Sequence, residues 1–239
     1  MQRARLSRYG VLSVTGEDAR DFLHAQLTND VLGLTTERAA LAGWCSAQGR
    51  LLATFLVIRS PQGYLLQLAR DIAPAVAKRL GMFVLRSKVK ISDESATWVQ
   101  DGIWDADFSQ QPDVAWKDGV ATVRVGERRY IQIGPAIAEK PNATEEDWVL
   151  REIRAGRPFI SSATQDKFVP QMVNLEKLGG VDFQKGCYPG QEIVARAQYR
   201  GQVKRRMVQM QGAARPGEEF NGGTVVDAAR GELLVVAPV

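Results

Sequence analysis

One histidine, His24, and two cysteines, Cys45 and Cys187, are all the imidazoles and thiols that 239 residues provide. A zinc or haem site built on several imidazoles is thereby excluded, and the chain cannot hold an iron-sulfur cluster on four thiolates of its own. Two cysteines in such different contexts make no disulfide framework either, and free thiols in a reducing compartment are the simpler reading. Long apolar runs are also missing: the longest lies near Leu51 to Ile58, far short of the roughly twenty residues a membrane helix needs. The opening stretch is broken by Arg3, Arg5 and Arg8 and lacks a small-residue cleavage site, so it does not read as a signal peptide. A soluble, cytoplasmic protein is expected. With 45% hydrophobic residues the composition is that of an ordinary globular protein, and a formal charge of +4 favours anionic ligands only weakly.

What is present is a mixture of both periodicities. Tyr9 to Val14 alternates as a strand, and Thr15 with Asp18 has the spacing of a capping box opening a helix. Ala19, Phe22, Leu23, Gln26 and Leu27 then form one stripe that ends at Thr28-Asn29-Asp30. Leu41 to Cys45, Leu51 to Ile58 and Tyr64 to Leu68 read as a meander. A helix is expected over Ala75 to Leu85, a strand over Lys88 to Ser92, and a hairpin over Val120 to Ile133 around Gly126-Glu127. Thr144 and Asp147 form a second box, opening a helix that stops at Gly156. Met172 to Leu178 reads as short and helical, and Pro189 fits the first turn of a helix reaching Ala197. Short β-like runs fill Gln202 to Val239, with no internal repeat anywhere.

The segment Lys185-Gly186-Cys187-Tyr188-Pro189-Gly190-Gln191-Glu192 resembles the K-G-C-Y-x-G-Q-E signature of the YgfZ family, relatives of the glycine-cleavage T-protein. Agreement extends to Phe168-Val169-Pro170-Gln171, Leu178-Gly179-Gly180 and Val194-Ala195-Arg196, and at the other end to Gln26-Leu27-Thr28-Asn29-Asp30-Val31 and Cys45-Ser46-Ala47-Gln48-Gly49. The resemblance covers most of Tyr9 to Arg206. It implies an α+β, T-protein-like folate-binding fold: a discontinuous first domain (1–45 and 143–200), an inserted ferredoxin-like domain (46–142) and a short C-terminal β module (201–239), around a central pocket.

It also implies folate, as tetrahydrofolate or a derivative, as the cofactor, with no metal bound by this chain alone. The implied function is support for assembly or repair of iron-sulfur clusters, including those of tRNA-modifying radical enzymes, with iron-sulfur enzymes or assembly proteins as partners. Cys187 is the candidate reactive or cluster-contacting thiol, placed before a helix start and near Lys185, although a small buried cysteine is the commoner fate of a lone one. Gly186 and Gly190 suit a tight turn or a ligand's approach, and Tyr188 and Gln191 complete the motif. Glu192 either makes a functional contact or complements the helix dipole. By block alignment the family's aromatic folate positions fall on Tyr9 and Trp148, although ordinary core is the commoner place for isolated aromatics. Arg196 and Arg200, with Lys204, Arg205 and Arg206, suit folate's glutamate tail or a solvated face.

Two departures from the T-protein stand out. Ala53 and Thr54 fall where its G-G-x-x-D-D block carries an aspartate central to methylene transfer, and neither supplies a carboxylate. Arg154 replaces a glutamate and has no acceptor to offer a pterin. A factor auxiliary to other enzymes is therefore expected rather than an aminomethyltransferase. The rivals are a folate-dependent one-carbon transferase and a tRNA-binding module; direct nucleic-acid binding is disfavoured because the basic cluster lacks interleaved aromatic residues.

Overall fold

A computed structural model describes all 239 residues. In chain order the elements begin with β1 (Gln2–Arg5), β2 (Tyr9–Thr15), α1 (Ala19–Gln26), β3 (Ala39–Cys45), β4 (Leu51–Ser60) and β5 (Gly63–Ala69). There follow α2 (Ala73–Gly81), β6 (Lys90–Asp93), β7 (Val99–Trp104), β8 (Val114–Lys117), β9 (Val120–Gly126) and β10 (Arg129–Gly134). The last are α3 (Glu145–Arg154), α4 (Gln191–Tyr199), β11 (Arg205–Gln211), β12 (Glu219–Phe220), β13 (Gly223–Ala229) and β14 (Glu232–Pro238). No helix is long and apolar enough to cross a membrane.

The chain divides into two compact units, each assembled from three segments. The first comprises Met1–Ala19, Gly33–Ala40 and Leu56–Trp148; the second comprises Arg20–Leu32, Leu41–Phe55 and Val149–Val239. Four of the divisions fall inside α1, β3, β4 and α3 rather than in loops.

In the first unit one antiparallel sheet has the order β1-β7-β10-β9-β8. Its edge strand β1, Gln-Arg-Ala-Arg, has no apolar alternation to announce it. It is held by its antiparallel ladder to β7 and by Asp101 on that strand, a wholly buried carboxylate that accepts from both Arg3 and Arg5. The charges that break the apolar pattern are thus the ones that pair, and truncating one partner of such a group leaves a buried charge uncompensated. Beside this sheet, the second half of β4 pairs with β5, β5 with β2, and β2 with β6, all antiparallel. Helix α2 starts at Ala73 after a 3-10 turn and ends at Gly81, four residues short of the expected limit. Thr15 and Asp18 do not form the expected box: Asp18 instead accepts the Lys88 backbone N–H at 2.7 Å, and α1 begins only at Ala19.

The second unit has the antiparallel sheet β11-β14-β13-β12. Its main core joins Cys45 and Leu51 to Leu150 and Ile153 of α3, Val194 of α4, and Met207, Val226 and Leu234 of the sheet. Helix α3 opens on a reciprocal box that begins before it, in the first unit: Thr144 N–H donates to the Asp147 carboxylate at 3.0 Å, and Asp147 N–H to the Thr144 hydroxyl at 3.2 Å. Gly156, at φ 64°, ends that helical stretch. The expected helix over Met172 to Leu178 is a 3-10 turn at Pro170–Val173, stopped by Asn174 in the left-handed conformation.

Candidate functional site

Two stretches far apart in sequence meet in the second unit. The Thr28 hydroxyl donates to the Gly180 carbonyl at 2.6 Å and accepts the Gly43 N–H at 2.7 Å. Asn29 donates through its side-chain amide to the Leu41 and Gly179 carbonyls, both at 2.7 Å. The polar turn that ends the α1 stripe therefore ties β3 to the glycine pair leading into the signature.

From that pair the chain turns on Asp182, whose carboxylate accepts the Gln184 and Lys185 backbone N–H groups at 2.7 and 3.3 Å. Lys185 then folds inward. Only 9% of it is exposed, and its ammonium donates to the His24 carbonyl at 2.6 Å and lies 4.8 Å from the centre of the Tyr188 ring. Burial pushes its pKa down, opposed by the charges of Asp182, Asp30 and Cys187. Tyr188 is buried, and desolvation raises its phenol well above the usual value. Between these two buried side chains Gly186 and Cys187 are exposed.

The next turn is set by Gly190, at φ 78°. A β-carbon there would come within 2.4 Å of the Ser46 carbonyl oxygen and 2.6 Å of the Gly49 α-carbon. This close approach to the turn after β3 requires glycine and delays the helix, so α4 starts at Gln191, after Pro189 rather than on it. Cys187 is accordingly separated from the first helical residue by Tyr188, Pro189 and Gly190. Glu192 is exposed in the first turn of α4 and Gln191 is half-buried. Val194, with no exposed surface, fixes the helix in the core.

The basic cluster divides in two. Arg206 donates to the Gln171 carbonyl, the Asn174 side chain and the Glu176 carboxylate, at 3.0, 3.0 and 2.6 Å, and Arg205 donates to the Gly222 carbonyl at 2.7 Å. These two brace the polypeptide. Arg196, Arg200 and Lys204 are exposed, and Lys204 lines an open cleft of about 450 Å³ with Gln198, Gln202 and Arg206. Tyr9 and Trp148 belong to the first unit. Tyr9 retains 8% of its surface; Trp148 retains none, packed against Trp104 and the backbone of Gly102.

The two departures also find their places. Ala53 is wholly buried, and the Thr54 hydroxyl is engaged with the backbone, donating to the Pro158 carbonyl at 3.3 Å. Arg154 forks onto Glu232, its Nε at 3.1 Å from both oxygens. Two residues beside the signature escaped the sequence reading. His24 has Nδ1 3.1 Å from the Asp30 carboxylate, and its Nε2 lies 3.9 Å from where a β-carbon on Gly186 would stand. Gln171, fully buried, donates to the Val194 carbonyl of α4 at 2.8 Å. Being the only histidine was the one signal for the first; the second had none beyond its place in a matching block. No group of three or more His, Cys, Asp or Glu side chains is placed to hold a metal ion.

This architecture is that of the glycine-cleavage T-proteins. The aminomethyltransferase T of Bartonella henselae superposes with a TM-score of 0.73 over 99% of this chain and 78% of its own, at 14% identity, a likeness of fold alone. No family model matches the chain. Among curated sequences it is 32% identical to the tRNA-modifying protein YgfZ of Edwardsiella ictaluri, over 88% of this chain and 71% of that one. It is 34% identical to YgfZ of Colwellia psychrerythraea, covering 84% and 69%, and 34% identical to an uncharacterized protein of Haemophilus influenzae, covering 90% and 76%. The chain belongs to the YgfZ family.

Proposed function

We propose that this protein is a folate-binding accessory factor that supports assembly or repair of iron-sulfur clusters, those of tRNA-modifying enzymes among them, through the thiol of Cys187. The observation that carries the reading is the contrast within the signature. Lys185 and Tyr188 are buried and Gly190 is locked by its neighbours, while the cysteine they flank is exposed. A fold that spends a buried ammonium on holding a loop, yet leaves its thiol in water, suits a sulfur that must meet another molecule. A soft thiolate is a fitting ligand for iron carried by a partner. The relatives' own description as tRNA-modifying proteins supports the choice of clients.

For folate the residues fit in part. A bound folate supplies a flat pterin and an anionic glutamate tail. Arg196, Arg200 and Lys204 are exposed and suited to the carboxylates. Tyr9 and Trp148 are closed to a ring as they stand, so a contact there requires local opening. The cationic side carries the reading.

The test has two arms. Calorimetric titration with tetrahydrofolate is expected to show binding that weakens in Arg196→Ala/Arg200→Ala; no binding at millimolar ligand would remove folate from the proposal. Cys187→Ser is expected to keep wild-type thermal stability and folate affinity but to fail in restoring iron-sulfur enzyme activity to cells lacking the protein. Full restoration by Cys187→Ser would overturn the role of the thiol.

A further inference from the structure

The first unit holds a cleft of about 610 Å³ that the proposed function leaves unused. It opens among the end of β2, the β4–β5 turn, the loop before β7 and the β8–β9 turn, and its volume is that of a small-molecule site. Trp98 and Trp116, both half-buried, line it with Tyr64 and with one half-buried carboxylate, Glu94. The indole N–H of Trp116 is buried away from solvent, so that ring presents carbon to the cleft.

Glu94 is held from several sides. Its N–H donates to the Val11 carbonyl at 2.9 Å, and its own carbonyl accepts the N–H groups of Thr97 and Trp98 at 3.0 and 2.9 Å. The Ser13 hydroxyl donates to one carboxylate oxygen at 3.0 Å, and the Thr97 hydroxyl is shared between the other, at 3.3 Å, and the Glu94 carbonyl, at 3.2 Å. One tight turn therefore fixes both the carboxylate and the backbone of Trp98. Both donors are neutral hydroxyls, and no Lys or Arg forms an ion pair with Glu94. Its charge is oriented but uncompensated. At the rim Lys117 and Asp118 offset one another, leaving the cleft net negative. An oriented carboxylate without a counter-charge attracts a cation, and the faces of indole rings are themselves electronegative. All these terms favour a cation.

We propose that this cleft binds an alkylguanidinium, its plane on the indoles of Trp98 and Trp116 and its N–H groups on Glu94. A guanidinium suits the site better than an ammonium, because two oriented carboxylate oxygens match its fork and a flat cation covers indole carbon. The same chemistry is offered by a free guanidino compound and by an arginine side chain on a polypeptide. The site takes the opposite charge from folate and does not depend on that reading.

The full chain is titrated with agmatine and, separately, with an N-acetylated, C-amidated glycyl-arginyl-glycine peptide, followed by calorimetry and tryptophan emission. Trp44, Trp104 and Trp148 are at most 2% exposed, so a ligand-dependent change at the red edge reports Trp98 and Trp116. Saturable binding is expected, weakened about tenfold or more in Glu94→Gln and in Trp116→Leu, and unchanged in Cys187→Ser. Tighter binding of agmatine identifies a free metabolite as the source, and tighter binding of the peptide a protein side chain. Melting curves check that each variant is folded, and Trp98→Leu serves if Glu94→Gln is not. No saturable binding of either probe by about 10 mM overturns the proposal, as does an affinity indifferent to both the carboxylate and the indoles.

Discussion

Two thiols in one chain differ here by the water around them. Cys45 sits on β3 with 2% of its surface exposed, and burial pushes its thiol up to about 12. At about pH 8 its thiolate is thus on the order of one part in ten thousand, before any steric exclusion. Cys187 is exposed. Iodoacetamide at that pH is expected to modify Cys187 alone in the folded protein, with Cys45 reacting only after denaturant is added, as peptide mass spectrometry would read. Native-state labelling of Cys45 at a comparable rate would contradict the burial. The strand context of Cys45 was legible from its apolar neighbours Leu41 to Trp44. The inward fold of Lys185 was not, since a lysine beside a cysteine reads as a nearby charge, whereas the ammonium is taken up by the His24 carbonyl.

At the scale of elements, legibility followed the hydrogen-bonding partner. The Thr144–Asp147 box closes within four residues and was readable; Thr15 and Asp18 have the same spacing, but a distant backbone N–H at Lys88 claims the aspartate. Strand β1 was invisible because its support, Asp101, lies about a hundred positions away. The start of α4 was misplaced for a similar reason, the constraint on Gly190 coming from the Ser46–Gly49 turn. Two glycine substitutions separate conformation from contact. Gly156→Ala, with φ 64° and nothing within 4 Å, is expected to cost about 1 kcal/mol. Gly190→Ala, with φ 78° and backbone at 2.4 Å, should cost upwards of about 2 kcal/mol and displace the signature loop. Denaturant midpoints measure both, and equal losses would mean that the close approach is not a constraint.

For the whole molecule, the α+β class and the T-protein-like fold were legible through one eight-residue signature and the blocks around it. Which cations stay open was not, because Arg196 and Arg206 look alike in sequence and differ only in what Glu176 and Asn174 claim. Arg154, read as a lost acceptor, instead joins the end of α3 to β14 through Glu232. Hydrogen bonds from Arg154, with its charge, hold the Glu232 carboxyl below the ordinary 4.5 despite some desolvation. A carboxyl depressed by folding contributes stability above its unfolded value, and that contribution disappears as pH falls through the folded value. Glu232→Gln is therefore expected to melt slightly below wild type near neutrality and to converge with it in acid. A gap in melting temperature that does not change with pH would show that the charge of Glu232 contributes nothing to stability.

The three-segment make-up of each unit has a consequence for biosynthesis. The ribosome delivers the chain from its amino end, so every segment of the first unit has emerged once Trp148 is out. The early segments of the second, Arg20–Leu32 and Leu41–Phe55, must wait for Val149–Val239. At typical elongation rates that delay lasts roughly 5 to 20 seconds. During it Cys45 and Leu51, both buried in the finished protein, lack the core partners from α3, α4 and the last sheet that cover them. The nascent chain is at its most vulnerable to aggregation in that interval, before the segment bearing the signature cysteine arrives.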